Sequence, residues 1–339
     1  MQYILHITQL DRTLSIEEVL SLYNIKQYKE LNDTHIIIDA KTDNLKLYQR
    51  LAYTNEVYTI LFSATKREII QKIKEYNWNA IYKHNFAVRI INKEKSRERE
   101  FAAIIYHNLK NPKVNLKNPE TLIVFFEEKN RFYCCTKVWQ NNKSFLNRKA
   151  HLKPILHPTS LNPRLAKACI NLVISKKDYL ESKNTEKIIL LDPFCGVGGI
   201  LVEAELMNVS SIGIDLEESM IKAAEENINY YKKENEYKNY TLINNDATKI
   251  SATELKQKIT AIVTDLPYGK NTKKIEHDKL YLEFLNNAST LTTKAVIMFP
   301  DFIDYKTLIK KSKKWRITSE FTYYLHKSLS KKIVILIKK

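Results

Sequence analysis

Apolar positions change rhythm along this chain. Between residues 187 and 299, short apolar runs alternate with stretches of helical spacing: KIILLD, ILVEAELM, SIGID, ESMIKAAEENI, TLINND, ATELKQK, AIVTD, KLYLEFLNNA and AVIMF. Such alternation predicts a parallel sheet with helices on both faces, an α/β Rossmann-like layout. The end differs. WRITSEFTYYL and KKIVILIKK are joined by a short HKSLS link, which predicts an antiparallel hairpin at one edge of the sheet. Just before the alternating region, Asn162-Pro163 predicts a helix start, with Asn as cap and Pro at the first turn. Leu165, Ala168, Cys169, Leu172 and Val173 then recur at helical spacing.

The front of the chain reads as α+β. Residues 1–59 give strand YILHIT, helix SIEEVLSLY, strand HIIID, helix LKLYQRLA and strand EVYTILF. Residues 60–140 give helix TKREIIQKIKEY, strand FAVRII, charged helix SREREFAAIIYHNL, and strands TLIVFFEE and RFYCCTKVW. Residues 141–157 lack periodicity and read as a linker to a domain spanning 158–339. No repeat or low-complexity segment interrupts these parts.

Composition narrows the classes. A chain of 339 residues with 44% hydrophobic content has room for two or three domains with real cores. No apolar run approaches membrane-helix length, and MQYILHITQLDR lacks the features of a secretory leader. The four cysteines, Cys134, Cys135, Cys169 and Cys195, have no zinc-type spacing, so no metal is expected and a reducing cytoplasm fits. Net charge is +17, and it is uneven: −2 over residues 1–59, +11 over 60–150 and +8 over the rest. A compositional bias spread over the whole chain would not load the middle third. A polyanion partner is expected there.

Four aspartates now stand out. Asp192, Asp215 and Asp265 end predicted strands and Asp246 lies just past another. In a doubly wound sheet, ligands bind outside the carboxyl ends of the strands, so the four should rim one crevice. Helix capping would account for one or two of them, not four in register. Glycine is scarce: Gly196, Gly198, Gly199, Gly213 and Gly269 are all there is. The turn LDPFCGVGGI carries three. A dinucleotide fingerprint would need glycine where Leu201 stands, and no phosphate-loop G-x-x-x-x-G-K-[ST] is present.

D-x-x-x-G-x-G with an acidic residue closing the next strand resembles the S-adenosylmethionine site of class I methyltransferases. The resemblance implies that Asp215 accepts hydrogen bonds from the ribose hydroxyls and Asp246 from the adenine amine, while Gly196 and Gly198 leave room for the methionine part. Asp192, Cys195, Leu216, Ala247 and Asp265 complete that lining. S-Adenosylhomocysteine would be the product. A negative rim also suits a cationic sulfonium and repels a pyrophosphate.

Asp265-Leu266-Pro267-Tyr268 resembles the (D/N)-P-P-(Y/F) motif of methyltransferases acting on exocyclic amines. An aromatic amine is a poor nucleophile, because its lone pair is delocalised into the ring. The Asp265 carboxylate and the Leu266 carbonyl can hold its two N–H bonds and aim the nitrogen. Pro267 forces Leu266 into extended backbone and fixes that carbonyl. Tyr268 can stack on the base, and Gly269 keeps the approach open. Leu266 stands where the family usually has Pro, but its carbonyl remains. No cysteine follows Cys195, which disfavours methylation at a pyrimidine C5 through a thiolate adduct.

Residues 60–140 resemble the THUMP RNA-binding domain, often preceded by a ferredoxin-like unit. V-N-L-K-N-P at 114–119 matches its V-D-L-x-x-P pattern, with Asn115 in place of Asp. HPTSLNPRLAKACINL resembles the lead-in helix that lies over the cofactor in THUMP-linked methyltransferases, which adds Ser160 and Leu161 to the cofactor set. LHKSLSKKIVI fits their final hairpin. Over residues 60–339 the chain is most similar to the archaeal tRNA (guanine-N2)-methyltransferases acting at tRNA position 10. That resemblance implies a tRNA substrate, gripped through Lys66, Arg67, Arg89, Lys93, Arg97, Arg99, Lys110, Lys113, Arg131 and Lys137, by a chain expected to act alone as a monomer. Three alternatives stay open: a sister enzyme for another tRNA or ribosomal guanosine, a release-factor glutamine methyltransferase, and a non-catalytic RNA-binding protein of the same fold.

Overall fold

The computed structural model describes residues 1–9, 11–40, 47–91, 95–157, 160–178, 188–232, 239–268, 274–326 and 329–339. They form two compact units. Met1–Arg12, Lys26–Gln49 and Thr54–Asn142 make the first; Thr13–Ile25, Arg50–Tyr53 and Lys143–Lys339 make the second.

The first unit is built on one seven-stranded sheet. Its order is β2 (Lys29–Asn32), β3 (His35–Asp39), β1 (Gln2–Ile7), β4 (Thr54–Thr65), β7 (Arg131–Gln140), β6 (Thr121–Glu128) and β5 (Phe86–Ile91). Helices α2 (Ile69–Glu75) and α3 (Glu98–Asn108) pack on one face through Ile73, Phe101 and Ile105, against Phe125 and Phe132 of the sheet. The division expected at residue 59 falls inside β4, which pairs with β1 on one side and β7 on the other. The two sequence segments therefore share a sheet. Strand β2 was not expected: KELN has one buried residue, Leu31, and too little alternation to announce itself. Of the expected helix LKLYQRLA, Leu45 and Lys46 lie outside the described residues, and among the rest Leu47–Arg50 form a single 3-10 turn.

The V-N-L-K-N-P stretch lies along β5. Phe86 N–H donates to Lys113 O, and Asn115 N–H donates to Phe86 O. Asn115 Oδ1 accepts from the amides of Lys117 and Asn118, while its Nδ2 donates to Asn118 O. Asn thus keeps the turn an Asp would make and adds a donor.

The second unit has a sheet in the order β10 (Tyr240–Asn244), β9 (Ser210–Asp215), β8 (Ile189–Asp192), β11 (Ala261–Asp265), β12 (Lys294–Pro300), β14 (Leu329–Lys338), β13 (Trp315–His326). The first five strands run parallel and β14 is antiparallel to both its neighbours. The terminal hairpin is therefore as expected, with β14 inserted between β12 and β13. Around the sheet lie α4 (Pro163–Val173), α5 (Gly199–Leu206), α6 (Glu218–Tyr231), α7 (Ala252–Leu255), α8 (Lys274–Leu291) and α9 (Tyr305–Ser312). Asn162 Oδ1 accepts from Arg164 N–H at 2.9 Å, capping α4 as its sequence predicts. Leu165, Cys169 and Leu172 of α4 are buried against Val263, Val296 and Met298. Each buried leucine there is worth ~2 kcal/mol.

Helix α1 (Arg12–Tyr23) has its residues from Thr13 onward in this second unit, not with the strands that flank it in sequence. The reason is Glu18. It is fully buried and accepts from the amides of Ala52 and Tyr53 and from Asn171 Nδ2 of α4, at 2.7–2.9 Å. Burial still pushes its carboxyl above the usual range. Among the described residues no helix is long and apolar enough to cross a membrane, and no group of three His, Cys, Asp or Glu stands where it could hold a metal. All four cysteines are free and buried.

Candidate active site

Asp192, Asp215, Asp246 and Asp265 line one cavity of about 520 Å³ at the carboxyl ends of the parallel strands. Ser160, Leu161, Cys195, Gly196, Leu216, Ala247, Leu266, Pro267 and Tyr268 line it too. Gly198 lies just behind, in the turn that shapes the wall. Its φ is +78°, and a Cβ there would meet Ala224 Cβ at 3.1 Å and its Cα at 3.2 Å. Gly196 is also left-handed, at +49°. Glycine is what this turn requires.

The aspartates play unequal parts. Asp215 holds the glycine turn: its Oδ2 accepts from Gly196 N–H at 2.9 Å and its Oδ1 from Glu217 N–H at 3.0 Å. Asp246 Oδ1 accepts from the amide and hydroxyl of Thr248, and its Oδ2 lies 3.0 Å from Lys249 Nζ. The Thr248 hydrogen bonds depress its pKa. Here the turn-capping role of aspartate and the cavity role coincide. Asp192 is 1% exposed and accepts from Thr264 Oγ1 at 2.8 Å; burial pushes it up to about 7. Ser160 Oγ is buried with no partner among the described residues, on the cavity wall.

The Asp265-Leu266-Pro267-Tyr268 segment is fixed from three sides. Leu266 N–H donates to Met298 O at 3.1 Å, and Tyr281 Oη of α8 donates to Pro267 O at 2.7 Å. The Leu266 side chain is 1% exposed, packed in the core with Ile297 and Phe299. That contact accounts for leucine where the motif usually has proline. Asp265 Oδ2 is paired with Lys331 Nζ of β14, a residue 2% exposed. Asp265 Oδ1 is buried with no partner among the described residues. Gly269 lies outside the described residues.

Sequence reasoning missed Lys331, Tyr281 and the cavity residues Phe194, Met220, Asn245 and Leu280. Lys331 had a partial signal, because the strand KKIVILIKK begins with two lysines and one must face inward. Choosing between Lys331 and Lys332 needs the register with β12, where Lys331 lies opposite Pro300.

The ten basic residues expected to touch a polyanion divide. Lys66 pairs with buried Glu127, Lys137 with Glu56 and Gln140, and Arg97 with Glu100 while lying over the Phe101 ring. Arg89 donates to the carbonyls of Val88 and Leu116. Arg67, Arg99, Lys110, Lys113 and Arg131 are exposed, and Arg131 also donates to Ser63 Oγ. Lys93 lies outside the described residues.

A parallel sheet with an inserted antiparallel strand, a glycine turn and an aspartate-lined cavity ending in D-L-P-Y together define a class I methyltransferase. Two family models match the chain: one described as an RMKL-like methyltransferase domain, over residues 150–331, and one described as a DNA methylase, over residues 16–226. The tRNA (guanine(10)-N2)-dimethyltransferase of Pyrococcus abyssi is 30% identical over 336 residues, 94% of each chain. The enzyme of the same name from Methanothermobacter thermautotrophicus is 32% identical over 88% of this chain and 87% of its own. Among solved structures, TrmN from Thermus thermophilus aligns over the full length of both chains at 16% identity, with a TM-score of 0.48. The chain belongs to the tRNA (guanine(10)-N2)-dimethyltransferase family.

Proposed function

We propose that this protein transfers methyl groups from S-adenosylmethionine to the exocyclic N2 of the guanosine at tRNA position 10, forming N2-methyl- and then N2,N2-dimethylguanosine. The observation that carries this reading is Asp265 Oδ1, a buried carboxylate oxygen without a partner among the described residues, on the wall of a cavity that also holds the glycine turn. The activity named for the two curated relatives supplies the substrate.

The cavity suits the cofactor. No lysine or arginine lines it among the described residues, whereas four aspartates and Glu217 do. Such a wall favours a cationic ligand. We assign cofactor binding to Ser160, Leu161, Asp192, Cys195, Gly196, Asp215, Leu216, Asp246, Ala247 and Asp265, with Gly198 shaping the turn. When bound, S-adenosylmethionine supplies an electrophilic methyl group on a sulfonium. The protein's part is to present the amine. Asp265 Oδ1 accepts one N–H, the Leu266 carbonyl accepts the other, and the nitrogen lone pair is turned toward the cofactor. The Asp265 charge stabilises the positive charge that grows on N2. Tyr268 stacks on a base extruded from its helix. Pro267, locked by Tyr281, keeps the Leu266 carbonyl in line.

Asp192 makes cofactor binding pH-dependent. The ionised carboxylate attracts a cation and the protonated one does not, so affinity should rise as pH rises through about 7. Titration calorimetry between pH 6 and pH 7.5 is expected to show tightening of several-fold, about the size one pKa unit allows. Asp192→Asn should flatten that dependence.

We place tRNA binding on the first unit, as a THUMP-type module working in the cytoplasm. Arg67, Arg99, Lys110, Lys113 and Arg131 are its phosphate contacts, while Lys66, Arg89, Arg97 and Lys137 shape the unit through intramolecular bonds. Reversing Lys110 and Lys113 to Glu should weaken tRNA binding by ~tenfold or more and lower the slope of affinity against salt by about two. Cofactor affinity should not move. Filter binding across a salt series reads both.

The test of function is to incubate the protein with labelled S-adenosylmethionine and unmodified tRNA transcript, then identify the nucleosides by mass spectrometry. N2-methylated guanosine is expected. N6-methyladenosine would keep the amine clamp and end the guanine assignment; binding without any methylated product would leave an RNA-binding protein.

A further inference from the structure

A lysine at the end of a buried strand is costly unless something holds its charge. Lys331 is the third residue of β14, on the same face as Ile333 and Ile335, which pack in the core with Met298 and α4. Its own position is opposite Pro300, two residues beyond the Met298–Ile333 pair. Met298 in turn lies beside Asp265 on β11. Lys331 therefore reaches across β12 at the mouth end of the sheet and meets Asp265, 66 residues away in sequence. Its ammonium also lies over the Tyr268 ring, 5.0 Å from the centroid.

The contact is one-sided. Lys331 takes Asp265 Oδ2, while Oδ1 is buried and without a partner among the described residues. The Asp265 side chain is 15% exposed, and the residue lines the cavity. Among the described residues, the other titratable groups that act on it are acids or neutral: Asp192 on β8, Cys169 on α4, Tyr281 on α8 and Tyr268 beside it. Without a cation, a carboxylate in such surroundings takes up a proton, and a protonated carboxyl is a poor acceptor for an amine N–H.

We propose that Lys331 is a positioning residue for methyl transfer: by holding Asp265 Oδ2 it keeps the carboxylate ionised, fixes its rotation, and leaves Oδ1 as the single oxygen that accepts the substrate amine. The same ammonium steadies the Tyr268 ring on which the base stacks. This deepens the reading of Asp265 as an amine clamp and rests on it. The two oxygens of one carboxylate are thereby given separate duties. Geometry, not added chemistry, is what Lys331 contributes.

The test uses the full-length protein with tRNA transcript. Lys331→Met is expected to lower kcat by ~100-fold near neutral pH, the scale seen when one preorganising charged contact is lost from an active site. KM for tRNA and affinity for S-adenosylhomocysteine should stay within about threefold of the parent, values within ordinary non-specific variation. Its kcat at saturating S-adenosylmethionine should climb with pH as Asp265 regains its charge, where the parental kcat is flat from pH 6.5 to 8.5. Lys331→Arg should recover at least a tenth of parental kcat and a flat profile. A Lys331→Met enzyme with parental kcat and a flat profile overturns the proposal. So does loss of cofactor binding in both the Met and Arg variants, which would make Lys331 part of the core packing alone. Asp265→Asn runs beside them: should it retain full activity, the clamp reading itself fails, an outcome separable from failure at Lys331.

Discussion

Replacing Asp265 by asparagine is expected to cut methyl transfer by ~1,000-fold, with tRNA affinity close to parental and a far smaller loss of cofactor affinity. Asparagine has the same shape, so the cavity wall survives. It lacks the charge that answers the positive charge growing on the amine. Its NH₂ group also donates, so one of its two possible orientations turns a donor toward the substrate N–H bonds. Lys331 would meanwhile be left buried without its counter-charge, and removing one partner of a buried pair costs ~3–5 kcal/mol. A fall in melting temperature of several degrees or more should accompany the loss. Single-turnover kinetics separate the chemical step from binding, and a rate within tenfold of the parent would sink the clamp.

The second large effect is a contrast between adjacent glycines. Gly198→Ala forces a side chain into a left-handed residue and drives its Cβ against the backbone of Ala224 on α6. The strain alone is ~1–2 kcal/mol, and the turn must move to relieve the contact. Because the neighbouring residues Val197 and Gly199 line the cavity, cofactor affinity should fall ~10-fold or more, in line with that strain. Gly199→Ala is the control. Its φ is not left-handed and a Cβ there meets nothing closer than Lys153 Nζ at 3.5 Å. Alanine at the first turn of α5 should leave melting temperature and affinity nearly unchanged. Calorimetry with S-adenosylhomocysteine on both variants decides it, and equal losses at the two positions would contradict the assigned role of the turn.

Much of the site was legible because its signals are local. The Asn162-Pro163 start of α4, the glycine turn after β8, the aspartates at strand ends and the D-L-P-Y segment each depend on a few neighbouring residues. Their convergence on one cavity follows from the alternation of strands and helices. What stayed hidden depends on distant partners. Lys331 is spelled as one of several lysines near the terminus, and nothing near it in sequence names Asp265. Helix α1 reads as part of the strands around it, yet buried Glu18 ties it to Asn171. Three of the ten basic candidates in the first unit, Lys66, Lys137 and Arg97, are engaged by acidic residues, and for Lys66 and Lys137 only the register of the sheet brings those partners alongside. Helix α9 was missed because YKTLIKKS is short and mostly polar, with Tyr305, Leu308 and Ile309 its buried apolar residues. Charge counts place a polyanion near a segment; they do not say which cations are free for it.

The most direct test of the central claim removes the target atom and nothing else. Two tRNA transcripts would be compared, one with guanosine at position 10 and one with inosine there, which lacks the exocyclic amine. Labelled methyl incorporation is then followed to completion. Up to two methyl groups per guanosine transcript and none on the inosine transcript are expected, with both bound equally well. Equal labelling of the two would show that the methyl group goes elsewhere, and would contradict the assignment of N2 at position 10.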